Sequence, residues 1–441
     1  MKYYLETLGC PKNLVDAHGM ARLLKQIGHQ PVEDPGQAQV LIVNTCGFVE
    51  DARAESLEEL RELAGGKRQD QLLIAAGCLS QRWGQALIKE VPGIDALLGT
   101  RRWTEIGALI EDLWTGRGWR RKSSLARLGD PLLMADEDRL RVAQQGSTAY
   151  LKIADGCSAP CAFCAIPLIK GPAASRPAQA VVEDAVDLVG QGVREIILIA
   201  QDTTAYGRDR GEQDALPGLL QDILAAASGL YWLRLMYAYP GHVSARLIEV
   251  MASSPRVCHY LDLPLQHAHP DTLRRMRRPA HMKRTRRLIA DLRAAMPDLA
   301  LRTSFIVGYP GETEQEFETL LSFVEEARFD RVGVFVYSPE EGTPALDLPH
   351  PVPEEVKEER FDRLMALQQQ ISLEINQAQI GRVLDVLVEG QGDGLGIGRS
   401  YRDAPEIDGM VLLPADVPVG EIVPVHITGA MEYDLVGEVA H

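Results

Sequence analysis

The stretch Cys157-Ser158-Ala159-Pro160-Cys161-Ala162-Phe163-Cys164, in the frame Lys152-Ile153-Ala154-Asp155-Gly156, puts three thiols on one loop, separated by three and then two residues. Three thiolates can hold three corners of an iron–sulfur cube. Clusters held by protein alone normally take four cysteines, so this loop leaves one iron open to a reacting ligand. A structural zinc site wants four ligands in paired spacings, and no second Cys or His pair follows at finger distance. A disulfide framework wants an oxidising compartment, whereas seven cysteines in 441 residues without a signal-like leader point to a reducing one. A ferredoxin brings its fourth cysteine close by, and here the next one, Cys258, is distant and reads as a core residue.

Downstream of the loop, strand-like runs at 195–200, 231–237, 259–263, 301–307 and 331–336 alternate with helical patterning, which predicts a parallel βα barrel. A substrate or cofactor then sits at the carboxyl ends of its strands. Upstream, Cys10, Cys46 and Cys78 each follow a short apolar run, at 2–8, 40–45 and 72–77, again with helical patterning behind it. In a parallel α/β domain all three thiols lie beyond strand ends, where ligands bind. Two readings stay open there: three thiols converging on a second cluster, or three small buried core residues.

A chain of this length predicts about three domains at about 150 residues each. Their expected bounds are an N-terminal α/β domain over 1–115, a linker over 116–140, a core over 141–352, a connecting helix over 353–380 and a small β-barrel over 381–441. The linker carries the basic run Gly116-Arg117-Gly118-Trp119-Arg120-Arg121-Lys122-Ser123-Ser124. The barrel is read from short β-rich runs at 382–388, 410–413 and 422–429, separated by glycine and proline. Residues 381–441 hold three arginines and no lysine against eleven carboxylates, a net −8, and the whole chain carries −16. Such charge disfavours a broad grip on nucleic acid and suits a basic protein. Against this, Arg274, Arg275, Arg277, Arg278, Lys283, Arg284, Arg286 and Arg287 form a basic stretch that reads as a solvated helix face or an RNA patch. No apolar run approaches the roughly 18 residues that span a bilayer, so a cytoplasmic protein is expected.

The segments Leu8-Gly9-Cys10-Pro11-Lys12-Asn13, Asn44-Thr45-Cys46-Gly47-Phe48, Gly77-Cys78 and the Cys157 loop resemble the methylthiotransferase family of radical SAM enzymes, over essentially the whole chain. Ala149 to Cys157, Ala200-Gln201-Asp202-Thr203-Thr204 and Tyr206-Gly207 are most similar to its branch that modifies a ribosomal protein. One departure is visible, Ala17-His18 where the family usually has Ser-Glu. The resemblance implies a partial (βα) radical SAM barrel, open on one side, and a TRAM-like C-terminal module. It implies two 4Fe-4S clusters, one on Cys157, Cys161 and Cys164 that binds S-adenosylmethionine (SAM), and one on Cys10, Cys46 and Cys78 that carries the inserted sulfur. It implies as substrate an aspartate β-carbon of a small-subunit ribosomal protein, on or off the ribosome, with an external electron donor and only secondary contact with nucleic acid. The alternative within the family is a tRNA adenosine. For SAM it implies Gln201 or Asp202 at the amino group, Arg234 at the carboxylate, and the segment of Ile306 and Gly308 beside the adenine.

Overall fold

The computed structural model describes residues 1–115, 125–129 and 141–440. Its first sheet is wholly parallel and comprises β1 (Lys2–Thr7), β2 (Gln30–Pro31), β3 (Val40–Thr45), β4 (Leu72–Gly77), β5 (Ala96–Gly99) and β6 (Leu125–Arg127). The spatial order is β2-β1-β3-β4-β5-β6. The helices between them are α1 (Pro11–Gln26), α2 (Glu50–Gly66), α3 (Cys78–Trp83), α4 (Gln85–Glu90) and α5 (Ile106–Trp114). Because side chains alternate along a strand, Val40, Ile42 and Ile74 pack with α1 and α5, while Leu41, Val43 and Leu73 pack with α2 and α4. Burial on both faces explains why these strands read as unbroken apolar runs. One expectation is corrected here. Residues 125–127, placed in a linker over 116–140, pair in parallel with β5 as the edge of this sheet. The basic run 116–124 and residues 130–140 lie outside the described residues.

The central sheet begins with the antiparallel pair β7 (Val142–Gln145) and β8 (Thr148–Lys152). The cysteine loop and α6 (Ile166–Lys170) are then flanked by a short ladder of β9 (Ala154–Asp155) with β10 (Ala174–Ser175). Five parallel strands follow: β11 (Glu195–Ile199), β12 (Trp232–Leu235), β13 (Val257–Asp262), β14 (Ala300–Val307) and β15 (Arg331–Val336). The order β15-β14-β13-β12-β11-β8-β7 leaves two unpaired edges, so the barrel is partial. Its convex face is covered by α7 (Ala178–Gly190), α8 (Leu216–Ala226), α9 (Ala245–Ser253), α10 (Pro270–Arg275), α11 (Met282–Ala295) and α12 (Glu314–Ala327). α12 starts on a capping box formed by Thr313 and Glu316. β12 stops short of residue 237 because Tyr237 turns into the left-handed region, at φ +62°.

α13 (Glu354–Gln377) leads to a closed five-stranded barrel of β16 (Val383–Gly392), β17 (Leu395–Ser400), β18 (Val411–Pro414), β19 (Ile422–Ala430) and β20 (Leu435–Val439). It seals the lower, amino-terminal end of the central sheet. There Val15 of α1, Tyr150, Ile197 and Tyr260 of the central strands, and Leu387 and Ala404 of the small barrel share one buried cluster. No described helix is long and apolar enough to cross a membrane.

Candidate functional site

β1, β3 and β4 are neighbours, and their carboxyl ends present Cys10, Cys46 and Cys78 side by side. Cys10 is the N-cap of α1, Cys46 follows β3, and Cys78 opens α3. Close approach is built in by glycine: a Cβ on Gly9 would stand 2.7 Å from Cys46 Cβ, and one on Gly47 would stand 2.8 Å from Leu79 Cα. Asn13 ties the three turns together. Its Nδ2 donates to the carbonyls of Leu8 (3.0 Å) and Thr45 (3.1 Å), and its Oδ1 accepts from Cys78 Sγ at 3.5 Å. Ser56 Oγ accepts from the Cys46 amide at 3.0 Å. Burial raises the thiol of Cys46 and pushes that of Cys78 up to about 12, so these sulfurs ionise only against a compensating cation.

The second trio leaves β9 through Gly156, at φ +74°, where a Cβ would stand 2.2 Å from Pro172 O. The Cys157 amide donates to Gly171 O at 3.0 Å, the Ala162 amide to Met276 O at 3.0 Å, and the Ala345 amide to Ala162 O at 2.9 Å. Burial again raises the Cys157 thiol and takes that of Cys164 to about 12. Arg278 Nη1 reaches Cys161 Sγ at 3.8 Å while its guanidinium stacks 4.3 Å from the Tyr239 ring centroid. That contact weakens the RNA-patch reading of the basic stretch, and four of its other six arginines pair with carboxylates of the chain: Arg274 with Asp271, Arg275 with Glu316, Arg286 with Glu326 and Arg287 with Asp291. Neither cysteine trio closes around a single ion. Among the described residues, the group of potential ligands gathered within 4.8 Å is His269, Asp271 and Glu316, whose two carboxylates already pair with those arginines.

A buried charge network joins the two trios. Asp16 of α1 accepts from Lys152 (2.5 Å) and Lys170 (3.2 Å), and Asp155, two residues before Cys157, is 3.4 Å from Lys152 and 3.2 Å from Lys170. Arg141 lies 3.6 Å from Asp16 and 3.7 Å from Asp155. Burial acts to raise the Asp155 carboxyl, but Lys152, Lys170 and Arg141 outweigh it and hold the group well below the carboxylate range. Lys170 is also within electrostatic reach of Cys78 and Cys10, while its ion pair with Asp155 ties it to the segment just before Cys157. Asn13 and Lys152 stand inside the quoted motif segments and Asp16 and Lys170 outside them, and for all four the role comes from partners far away in the chain, which spacing does not reveal.

The five side chains expected around SAM separate in the structure. Gln201, just past β11, donates from Nε2 to Asp155 Oδ1 at 3.3 Å, and its buried Oε1 has no partner among the described residues, which fits an ammonium donor. Asp202 is committed to the fold: Oδ1 accepts from Thr204 Oγ1 (2.7 Å) and the Ala205 amide (3.0 Å), and Oδ2 meets His242 Nδ1 at 2.9 Å. Ile306 packs near Phe163 and Ala162 of the cysteine loop. Gly308 needs its φ of +72°, but a Cβ there would stand 2.2 Å from Lys357 Cγ, so the glycine makes room for α13 rather than for a ligand. Arg234 corrects the expectation most sharply. It is fully buried, with Nε on Glu195 at 2.7 Å and Nη1 on Tyr401 O at 2.7 Å, so its guanidinium is committed to the contact with the C-terminal barrel.

Residues 2–99 match the uncharacterized protein family UPF0004, residues 151–324 the radical SAM superfamily, and residues 380–440 the TRAM domain. The chain is 52% identical to "Ribosomal protein uS12 methylthiotransferase RimO" of Chloroflexus aurantiacus, covering 99% of both proteins. It is 50% identical to the protein of the same name from Roseiflexus sp., covering 99% of this chain and 97% of that one. Among solved structures, the radical S-adenosylmethionine methyltransferase TsrM from Kitasatospora setae aligns with a TM-score of 0.57 over 92% of this chain and 80% of that chain. At 15% identity this is a likeness of fold alone.

Proposed function

Because the chain belongs to the ribosomal protein uS12 methylthiotransferase RimO family, we propose that it inserts sulfur and then a methyl group at the β-carbon of an aspartate in uS12. The observation that carries this reading is the pair of three-cysteine sets beyond the carboxyl ends of parallel strands in two sheets, joined by Asp16, Asp155, Lys152 and Lys170. Cys157, Cys161 and Cys164 hold the 4Fe-4S cluster that takes SAM, and Cys10, Cys46 and Cys78 hold the second cluster. When bound, these groups supply hydrogen abstraction from an unactivated carbon, the sulfur and the methyl group. The chain's own residues bind and orient. Gln201 Oε1 accepts from the SAM ammonium, Ile306 and Phe163 form an apolar wall, and Asp202 and Arg278 fix the turns on either side. The surplus of cations around Asp16 and Asp155 offsets the negative charge of thiolate-held clusters.

The enzyme works in the cytoplasm on free or ribosome-bound uS12, with an external electron donor. A protein target is favoured over tRNA by the acidic C-terminal barrel, whose Arg399 and Arg402 are both buried. The test is mass spectrometry of uS12 and of bulk tRNA after anaerobic incubation with reconstituted enzyme, SAM, reductant and sulfide. A methylthio gain on one aspartate of uS12 is the expected result. A gain on tRNA alone would transfer the chemistry to the other branch of the family.

A further inference from the structure

Lys12 is the second residue of α1, two positions after Cys10, and is only partly exposed. Its Nζ lies 3.0 Å from the centroid of the Tyr237 ring and makes no ion pair or hydrogen bond among the described residues. The charged groups facing it are Cys10, Asp262, Lys170 and Lys152. Asp262 and the two lysines each have a partner. Asp262 accepts from Arg302 Nη1 at 2.9 Å and from the Tyr237 amide at 3.2 Å, and both lysines are held by Asp16 and Asp155. Lys12 is thus a cation with only an aromatic face to rest on, at the wall between the first cysteine trio and the mouth of the partial barrel. The face is presented at a conformational cost, since Tyr237 sits at φ +62°.

A carbon that receives sulfur from one site after losing hydrogen to the other must lie within reach of both trios, hence in this gap. In an aspartate that carbon is bonded directly to the carboxylate, so the carboxylate enters the gap too. A carboxylate leaving water needs a cation, and a ring face is a weaker partner for an ammonium than a carboxylate is. We propose that Lys12 binds the carboxylate of the substrate's target side chain and thereby sets the preference for an acidic residue over its amide. The inference rests on the reading of the substrate as an aspartate of uS12.

The test compares uS12 with its form carrying Asn at the target position, as ligands of the reconstituted holoenzyme. Binding is read by fluorescence anisotropy without reductant, so that no turnover is involved. The wild-type enzyme should prefer the Asp form by roughly ten- to a hundredfold. Lys12→Gln should bind both forms alike, Lys12→Arg should keep part of the preference, and the low-temperature EPR signals of both reduced clusters should persist in each variant. An Asp preference that survives Lys12→Gln overturns the proposal. So does loss of the EPR signal of the Cys10, Cys46 and Cys78 cluster, which would make Lys12 part of the cluster's support. If the wild-type enzyme modifies tRNA and not uS12, the underlying substrate reading fails, a result distinct from either.

Discussion

The two sets of thiols are separable by mutation, because no cysteine is shared and each set has its own backbone support. Cys78→Ala should lose about half of the reconstituted iron while SAM cleavage at the other cluster continues, and Cys164→Ala should lose the complementary half together with SAM cleavage. Iron analysis and 5′-deoxyadenosine formation check both outcomes; a variant that keeps its full iron removes its cysteine from the ligand set. Thiols at those six positions were legible from spacing and from their place after strand-like runs. Arg234 was misread because sequence places a residue on a strand but not at a depth. Its guanidinium is fully buried, where Glu195 and the Tyr401 carbonyl satisfy it. Asn13 and Lys170 act through partners dozens of residues away, and such pairings leave no periodic trace.

Turns, more than strands, aim the thiols. Gly77 ends β4 at φ +93°, and a Cβ there would stand 2.5 Å from Asn44 Oδ1 and 2.6 Å from Thr45 O, the turn that carries Cys46. Gly77→Ala therefore combines backbone strain of about 1–3 kcal/mol with displacement of the neighbouring turn. A lowered Tm and a loss of iron confined to the Cys10, Cys46 and Cys78 site are expected, and calorimetry with iron analysis measures both. The parallel strands were readable because burial on both faces leaves unbroken apolar runs. β17 and β20 were not among the runs anticipated for the C-terminal barrel. In β17, Leu395-Gly396-Ile397-Gly398 reads as a turn, yet Gly398 lies so near its partner strand that a Cβ would stand 2.5 Å from Leu387 O. β6 was hidden by its basic surroundings, since a three-residue edge strand carries too little pattern to stand out.

At the scale of the molecule, the C-terminal barrel is clamped to the core by Arg399, whose Nη2 reaches Glu195 Oε2 at 2.6 Å and Glu389 Oε1 at 2.5 Å, both ends of the Glu195 bond being buried. Burial acts to raise the Glu195 carboxyl, but Arg399 and Arg234 outweigh it and hold it at about 2. A carboxyl whose folded value lies below its unfolded one stabilises the fold fully above the unfolded value, about 4.5, and that contribution disappears as pH falls towards 2. Arg399→Ala, which leaves buried Glu195 with Arg234 alone, should cost about 3 kcal/mol at neutral pH, the low end for breaking a buried pair, and the difference from wild type should shrink in acid. Thermal unfolding followed across pH tests this; an equal loss at every pH would locate the effect in packing instead of charge. On the outer surface of the same barrel, Arg382 is the only exposed Lys or Arg among the described residues, against carboxylates such as Asp393, Glu406, Asp416 and Glu438. The cluster shared by Val15, Tyr260, Leu387 and Ala404 has a further consequence for biogenesis. Its members come from the start, middle and end of the chain, so during translation the bowl of the central sheet stays open until the last segment emerges. The floor of the central sheet is thus the last part of the core to be completed, whereas the cysteine trios, at the opposite, carboxyl ends of the strands, do not depend on that closure.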